Sequence, residues 1–575
     1  MLLSNLDIII IISFFGVSIL IGLYAAKKSG KSTKNFFLSG RNMPWWLLGV
    51  SMVATTFAAD TPGLVAGIVR SDGVAGNWVW WSFLLTGMLT VFFYAKLWRK
   101  SNITTDLEFY ELRYTGKSAA FLRGFRALYL GVFFNIVIMA TVCLAAIKIG
   151  HVMFGFSAFQ TLGIAAVVTV IYSGLGGLRG VILTDFIQFI IAMVGSVWAC
   201  IYIIQLPEIG GLDQLFLQPE VASKTSLFPD FYQPEVFIPL FLVPLAVQWW
   251  SVWYPGAEPG GGGYIVQRML AAKNEKHAVK ASLFFTITHY AIRPWPWILI
   301  GLASIVVYPT LSQLSEAFPQ LSSQYIKDDL SYAAMLQFLP SGLLGLVATS
   351  LIAAFMSTIS THLNWGSSYV VNDFYARFID PNASEKKQVR VGRFTTVSLM
   401  ILAALLALVL EEAKEAFDLL LQIGAGTGLL FILRWFWMKI NPYSEIAAML
   451  SSFIIAFVFF IHDKLNWNMW EFLSHEKLII GVILTSIAWI SVSFLTNPSE
   501  KQHIDKFKTL VFDGKKPWHN IKYQSLAFFV GIIAVYALLF LIGNLIYKDY
   551  FWAAICLFLV SASGFILAKV WRKVS

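Results

Sequence analysis

Apolar stretches about 20 residues long follow one another along almost the whole chain, which is the length a helix needs to cross a bilayer. Only 13% of the 575 residues are charged, whereas soluble proteins carry about 25%. Such a chain exposes most of its surface to lipid rather than to water. We therefore predict an all-α integral membrane protein embedded in the lipid bilayer.

About 15 stretches qualify as transmembrane helices. Their approximate bounds are 7–26, 44–68, 77–98, 124–152, 158–178, 181–205, 237–255, 278–308, 335–371, 392–411, 416–438, 443–462, 475–496, 524–547 and 550–571. Small residues in 173–177 predict a tight turn between the fifth and the sixth stretch. If the N-terminus lies outside, most of the 42 Lys and Arg residues fall in cytoplasmic segments, as the positive-inside rule requires. We predict an N-out, C-in protein of the cell inner membrane.

The remaining composition argues against several classes of function. The net charge of +10 would favour nucleic-acid binding in a soluble protein, but here it marks cytoplasmic segments, and we expect no nucleic-acid partner. The three cysteines lie in apolar runs, and neither they nor the eight histidines have the spacing of a metal site. A transporter is therefore favoured over an enzyme. A polytopic membrane enzyme and a transporter-like sensor or channel stay open as alternatives, and the sequence leaves the oligomeric state undetermined.

Two of the predicted spans carry helix breakers inside them. The second contains Ala59–Gly63, with Pro62 near its middle, and the seventh contains Pro239 and Pro244 followed by the glycine-rich segment Tyr254–Gly263. Unpaired backbone at membrane depth is tolerated only beside a cavity or inside protein. The two broken spans are five apart, as expected of two five-helix repeats in inverted topology with a binding site between them.

Several motifs, met in order along the chain, resemble those of the sodium:solute symporter family. They are Phe37–Trp46, Thr105–Phe109, Tyr172–Val181, Thr184–Gln188, Tyr264–Lys273 and Ala353–Ser360. The resemblance implies a leucine-transporter-like fold, in which a 5+5 inverted repeat follows one leading helix and precedes extra C-terminal helices. The corresponding parts are a leading helix and loop (1–43), a first repeat (44–205), an extracellular loop (206–236), a second repeat (237–440) and C-terminal helices (441–575).

The same resemblance implies Na+ as the coupling ion and assigns residues to it. For the main sodium these are the carbonyls of Ala54, Phe57 and Ala354 with the hydroxyls of Ser357 and Thr358. Some family members bind a second sodium, and the matching residues here are Asp185, Ser360 and Thr361. A carboxylate as deep in the membrane as Asp185 is a functional candidate on physical grounds as well.

A small-molecule solute is expected beside the main sodium, between the two repeats. The candidate residues are Thr56, Asp60, Thr61, Asn77, Trp78, Asn135, Gln248, Trp249, Glu258, Arg293 and Gln422. A lysine that faces the sugar in one family member falls at Tyr290, which weakens a sugar-type interpretation. Arg293 could bind an anion bidentately, pair with Glu258 or Asp60, or lie near the outer gate. An organic anion, a sugar and an amino acid all stay open as the solute.

Overall fold

The computed structural model describes residues 3–29, 32–252, 258–319, 326–409, 424–465 and 471–574. These ranges are helical, and their one sheet-like contact is an isolated parallel bridge between Met43 and Ala272. The main helices are α1 (Asn5–Ser29), α2 (Trp45–Thr55), α3 (Thr61–Asp72), α4 (Val74–Ser101), α5 (Gly116–Ile147), α6 (Ala158–Ile204), α7 (Pro234–Trp250), α8 (Gly263–Ala271), α9 (Glu275–Val307), α10 (Leu343–Ile379), α11 (Glu385–Val409), α12 (Gly428–Leu433), α13 (Pro442–Asp463), α14 (Ser474–Leu495), α15 (Lys501–Phe512), α16 (Ile521–Ile546) and α17 (Tyr550–Val574).

Within the described ranges, eleven helices are long and apolar enough to cross a membrane. They are α1, α4, α5, the Gly176–Ile204 part of α6, α9, α10, α11, α13, α14, α16 and α17, and each overlaps a predicted span. Three further predicted spans overlap the shorter apolar helices Trp45–Thr55, Ala158–Ile171 and Pro234–Trp250. The remaining one, 416–438, lies partly outside the described residues, so the count of about 15 stays a prediction.

Helix α6 contains one residue, Gly177, with non-helical backbone angles (φ 53°, ψ −161°). Ser173 donates a hydrogen bond to the Ser360 carbonyl (3.4 Å), and Asp185 accepts one from Ser357 (2.7 Å). Residues 173 and 185 would lie roughly 18 Å apart in a straight helix, yet both contact one turn of α10. The chain therefore folds back at Gly177, as the small residues of 173–177 predict.

Helix α10 lies at the centre of the protein, and nearly all of its residues from Leu343 to Tyr369 are buried. It begins at Leu343, eight residues after the predicted start, because Gly342 has a positive φ of 86° that no helix accommodates. The Asp7 carboxylate of α1 accepts hydrogen bonds from the backbone N–H groups of Gly342 and Gly345, both at 2.7 Å. A distant side chain thus satisfies donors that a helix start leaves unpaired.

Both predicted helix breaks are present. Helix α2 ends at Thr55 and α3 begins at Thr61, with Pro62 in the first turn of α3, where its missing N–H costs nothing. We call 56–60 the first break. Helix α7 ends at Trp250 and α8 begins at Gly263, and we call 251–262 the second break, of which 253–257 lie outside the described residues.

Candidate cation and solute site

The first break lies directly against the hydroxyl-bearing turn of α10. The Thr358 hydroxyl donates a hydrogen bond to the Thr55 carbonyl at 3.2 Å, and Thr358 is buried. The last carbonyls of a helix lack intrahelical partners, so the end of α2 presents an excess of acceptors to α10. The Ala54 carbonyl accepts a turn-type bond from the Phe57 N–H (3.2 Å). The structure therefore brings together the segments that carry Ala54, Phe57, Ala354, Ser357 and Thr358.

Asp185 is fully buried and links three helices. It accepts hydrogen bonds from Ser357 of α10 (2.7 Å) and from Ser51 of α2 (2.5 Å). The predicted partner Ser360 instead donates to the Ser357 carbonyl at 3.1 Å. The carboxylate thus joins α2, α6 and α10 one turn from the first break.

A guanidinium lies among the residues predicted for a second sodium. Arg268 of α8 is fully buried, and its Nη2 is 3.6 Å from the Asp185 carboxylate. The same side chain donates to the hydroxyls of Thr361 (2.7 Å), Thr55 (3.1 Å) and Ser51 (3.2 Å). In this conformation the Arg268 guanidinium places a fixed positive charge beside Asp185. Sequence reasoning missed Arg268, although its place in the motif Tyr264–Lys273 was a usable signal.

Two predicted solute residues, Thr56 and Arg293, meet at the first break. The Thr56 hydroxyl lies 3.1 Å from His289 Nδ1 and accepts a 3.4 Å hydrogen bond from Arg293. Arg293 also donates to the Val53 carbonyl at 3.3 Å. The Thr61 hydroxyl accepts from the Ala58 N–H (3.2 Å) and closes the break locally. Asp60 is solvent-exposed. This cluster, rather than the whole predicted set, surrounds the break.

The predicted amide residues are engaged by the protein itself. Asn77 donates to the Val74 carbonyl (3.0 Å) and accepts from Trp80 (2.8 Å). Asn135 pairs with His362 through its ring nitrogen (2.7 Å) and its carbonyl (2.8 Å). Gln248 donates to the Val79 carbonyl at 2.8 Å. These amides stabilise helix contacts in this conformation.

Three of the four remaining predicted solute residues do not join the cluster at the first break. Trp78 packs against aromatic rings and donates to the Leu227 carbonyl at 2.9 Å, while the Trp249 carbonyl accepts from Thr86. Glu258 forms an ion pair with Arg126 at 2.5 Å rather than with Arg293. Gln422 lies outside the described residues.

Comparison with known proteins places this arrangement in a family. The sequence model of the sodium:solute symporter family (SSF) matches residues 36–452. The sodium/glucose cotransporter of Vibrio parahaemolyticus is 26% identical over 519 residues, covering 87% of this chain and 93% of that protein. The sodium/myo-inositol cotransporter 2 of Oryctolagus cuniculus is also 26% identical, covering 87% and 78%. A solved structure of a Na+-coupled sialic acid symporter, in a substrate-bound outward-open state, shares the fold at a TM-score of 0.71 with 23% identity, covering 86% of this chain and 99% of that one.

Proposed function

The chain belongs to the sodium:solute symporter family, and from that premise we propose that sodium bound at the first break drives uptake of a small organic solute. Sodium-coupled solute symport is the activity of this multi-pass membrane protein. The relatives described above are named as cotransporters of glucose and of myo-inositol. No covalent chemistry is required. Downhill sodium entry supplies the free energy by favouring one state of an alternating-access cycle.

The contact between Thr358 and the Thr55 carbonyl is the observation that carries the proposal (3.2 Å). A sodium ion needs five or six oxygen ligands, and unwound backbone beside hydroxyls supplies them at a broken membrane helix. We assign the main sodium to the carbonyls of Ala54, Phe57 and Ala354 and the hydroxyls of Ser357 and Thr358.

For the second sodium we propose a conditional site. Asp185, Ser360 and Thr361 would coordinate it only after the Arg268 guanidinium leaves Asp185, because the two cations compete for one carboxylate. A two-sodium mechanism therefore includes a movement of the Arg268 side chain away from Asp185. Asp185→Asn is expected to lower the ratio of sodium to solute transported by reconstituted protein.

The proposal extends to topology. We propose an N-out, C-in protein of the cell inner membrane, with about 15 spans and an inverted repeat made of 44–205 and 237–440. The occurrence of breaks at matching places, 56–60 and 251–262, supports this arrangement. Accessibility of single cysteines placed at 225 and 515 on the two sides of sealed vesicles tests the orientation.

Thermal unfolding of purified protein in sodium, potassium and N-methyl-D-glucamine salts tests the sodium site. Sodium alone should raise the midpoint, saturably, because a ligand of the native state stabilises it. Ser357→Ala should lose this response. Ser350→Ala, which removes an equally buried hydroxyl of α10 that bonds the Val347 carbonyl (2.8 Å), should keep it. A full sodium response in Ser357→Ala would refute the assigned site.

A further inference from the structure

Arg293 is a buried cation whose hydrogen-bonding capacity is largely unused. A guanidinium offers five N–H donors. Within the described part of the chain, Nη1 makes only the two long contacts to Val53 and Thr56 (3.3 and 3.4 Å), and Nε is buried with no partner. Arg293 is 2% exposed. A buried charge left this incompletely paired is costly, and such sites normally serve function.

Aromatic rings enclose the guanidinium on one side. Phe57 and Trp297 stack with ring centroids 5.1 Å apart, and the Arg293 guanidinium carbon lies 5.8 Å and 5.3 Å from those two centroids. The rings hold the guanidinium through cation–π attraction without using its N–H donors. Its hydrogen-bonding edge therefore stays available to a ligand.

A π-helical turn of α9 places Arg293 at the break. The turn spans Thr288–Ile292, and the Arg293 N–H bonds the Thr288 carbonyl at 3.1 Å. Such turns recur at functional sites because they rotate the following side chains. His289, on the same turn, contacts Thr56 and lies against Trp80 (ring centroids 6.0 Å apart). On its α9 side, the first break is thus flanked by the Arg293 guanidinium and by aromatic rings.

The carboxylates that would otherwise neutralise Arg293 have partners elsewhere. Glu258 pairs with Arg126 at 2.5 Å, and Asp185 lies 3.6 Å from Arg268. The amides that a sugar would need, Asn77, Asn135 and Gln248, bond to the protein. Asp60, the remaining acidic candidate, is exposed. Beside the first break, the Arg293 guanidinium is therefore a buried positive charge whose Nε donor is available to a solute.

We propose that the transported solute is a small organic monocarboxylate, held bidentately by Arg293 with its body against the neighbouring rings. This inference rests on the proposed function, and it explains coupling. Sodium at the Ala54 carbonyl would lie beside a like charge, which disfavours it. A carboxylate between the two cations favours both, so each ligand raises the affinity of the other by the same factor.

The first experiment measures how solutes change sodium affinity. Purified protein is titrated with sodium methanesulfonate at constant ionic strength, alone or with acetate, lactate, benzoate or phenylacetate, each matched by its primary amide. The quantity compared is the sodium concentration that gives half of the maximal rise in unfolding temperature. At least one carboxylate should lower this concentration about fivefold or more, and the matching amide should not. The proposal is overturned if no carboxylate acts, or if an amide acts as well as its acid.

Variants of Arg293 supply a test that needs no solute. Arg293→Gln should bind sodium more tightly than the parent when no solute is present, because the like charge is gone, and should lose the carboxylate effect. Arg293→Lys should keep part of that effect. Arg70→Gln, at a buried arginine that pairs with Asp328 (3.0 Å), controls for removing a charge elsewhere. An unchanged sodium affinity in Arg293→Gln overturns the proposal. A parent protein that ignores sodium altogether contradicts the sodium site instead.

Discussion

The two helix breaks occupy matching places in the sequence but are held in different ways. The first break bonds mainly to its own neighbours in sequence, as in the bonds from the Thr56 N–H to the Met52 carbonyl and from the Ala58 N–H to the Thr61 hydroxyl (both 3.2 Å). It also faces the hydroxyls of α10 and the Arg293 guanidinium. The second is fixed to the protein at two points, Glu258 by Arg126 (2.5 Å) and the Gly260 carbonyl by Trp98 (2.8 Å). The N–H of Gly263, the first residue after the second break, bonds to Asp106 (2.9 Å). Helix-breaking residues can therefore leave backbone polar groups facing a ligand site, or the protein's own side chains can bind those groups.

A charged and aromatic network lies behind the second break. The Arg126 guanidinium is 5.6 Å from the Tyr110 ring centroid and 5.1 Å from that of Phe431, both buried. Arg434 pairs with Glu445 at 3.6 Å next to these rings. The network joins α5 and α13 to Glu258, so it anchors the described end of the second break, residues 258–262. If this comparison holds, changes at the second break should alter stability, and changes at the first should alter sodium binding.

Removing the Glu258 carboxylate should have the largest effect on stability. Glu258→Ala leaves Arg126 charged and unpaired in a buried site, which is expected to cost about 3–5 kcal/mol in the free energy of unfolding. Thermal or denaturant unfolding measures the loss, with Glu235→Ala at an exposed position as the control. A stable Glu258→Ala protein whose solute response alone is lost would instead make Glu258 a solute ligand.

The second break should also respond to pH through Asp106. Burial, and then the charge of Glu258, raise the pKa of Asp106 to about 6. Because this pKa exceeds that of Asp106 in the unfolded chain, the native state binds more protons than the unfolded state between about pH 4 and about pH 6. The free energy of unfolding therefore falls as the pH rises through this range. The total is at most about 3 kcal/mol. The stability difference between the parent and Asp106→Asn, followed from pH 4 to 7, isolates this contribution, and a flat difference would contradict it.

A smaller effect is expected from the backbone of the second break. Gly261 has φ 96°, and an added Cβ would lie 2.9 Å from the flexible end of Met269. The side chain can move away, so backbone strain is the main penalty, and Gly261→Ala should lose about 1–2 kcal/mol. Gly16→Ala, where a Cβ meets no atom within 4 Å, is the control. Equal stability of the two variants would show that the second break is not held in this backbone conformation.

Local features of the fold were predictable from the sequence, and long-range pairs were not. The lengths of the apolar stretches predicted spans that overlap the observed helices, and Pro62 and the glycines near 260 predicted the breaks. Both signals depend only on residues that are neighbours in the sequence. The start of α10 depends on Asp7, some 330 residues away. Likewise, the motif Tyr264–Lys273 marks Arg268 for attention, but the sequence does not reveal its contact with the distant Asp185.

The smallest change in stability should accompany the largest change in sodium response. Thr358→Val keeps the shape of the side chain but removes the bond to the Thr55 carbonyl, at a net cost of about 1 kcal/mol or less. Thr349→Val is the matched control, because its hydroxyl is equally buried and bonds the Gly345 carbonyl of the same helix (2.7 Å). Both variants should unfold at similar temperatures without sodium. Only Thr358→Val should lose the sodium-dependent shift, because only that hydroxyl faces the first break. Equal sodium responses in the two variants would mean that the first break, like the second, is structural.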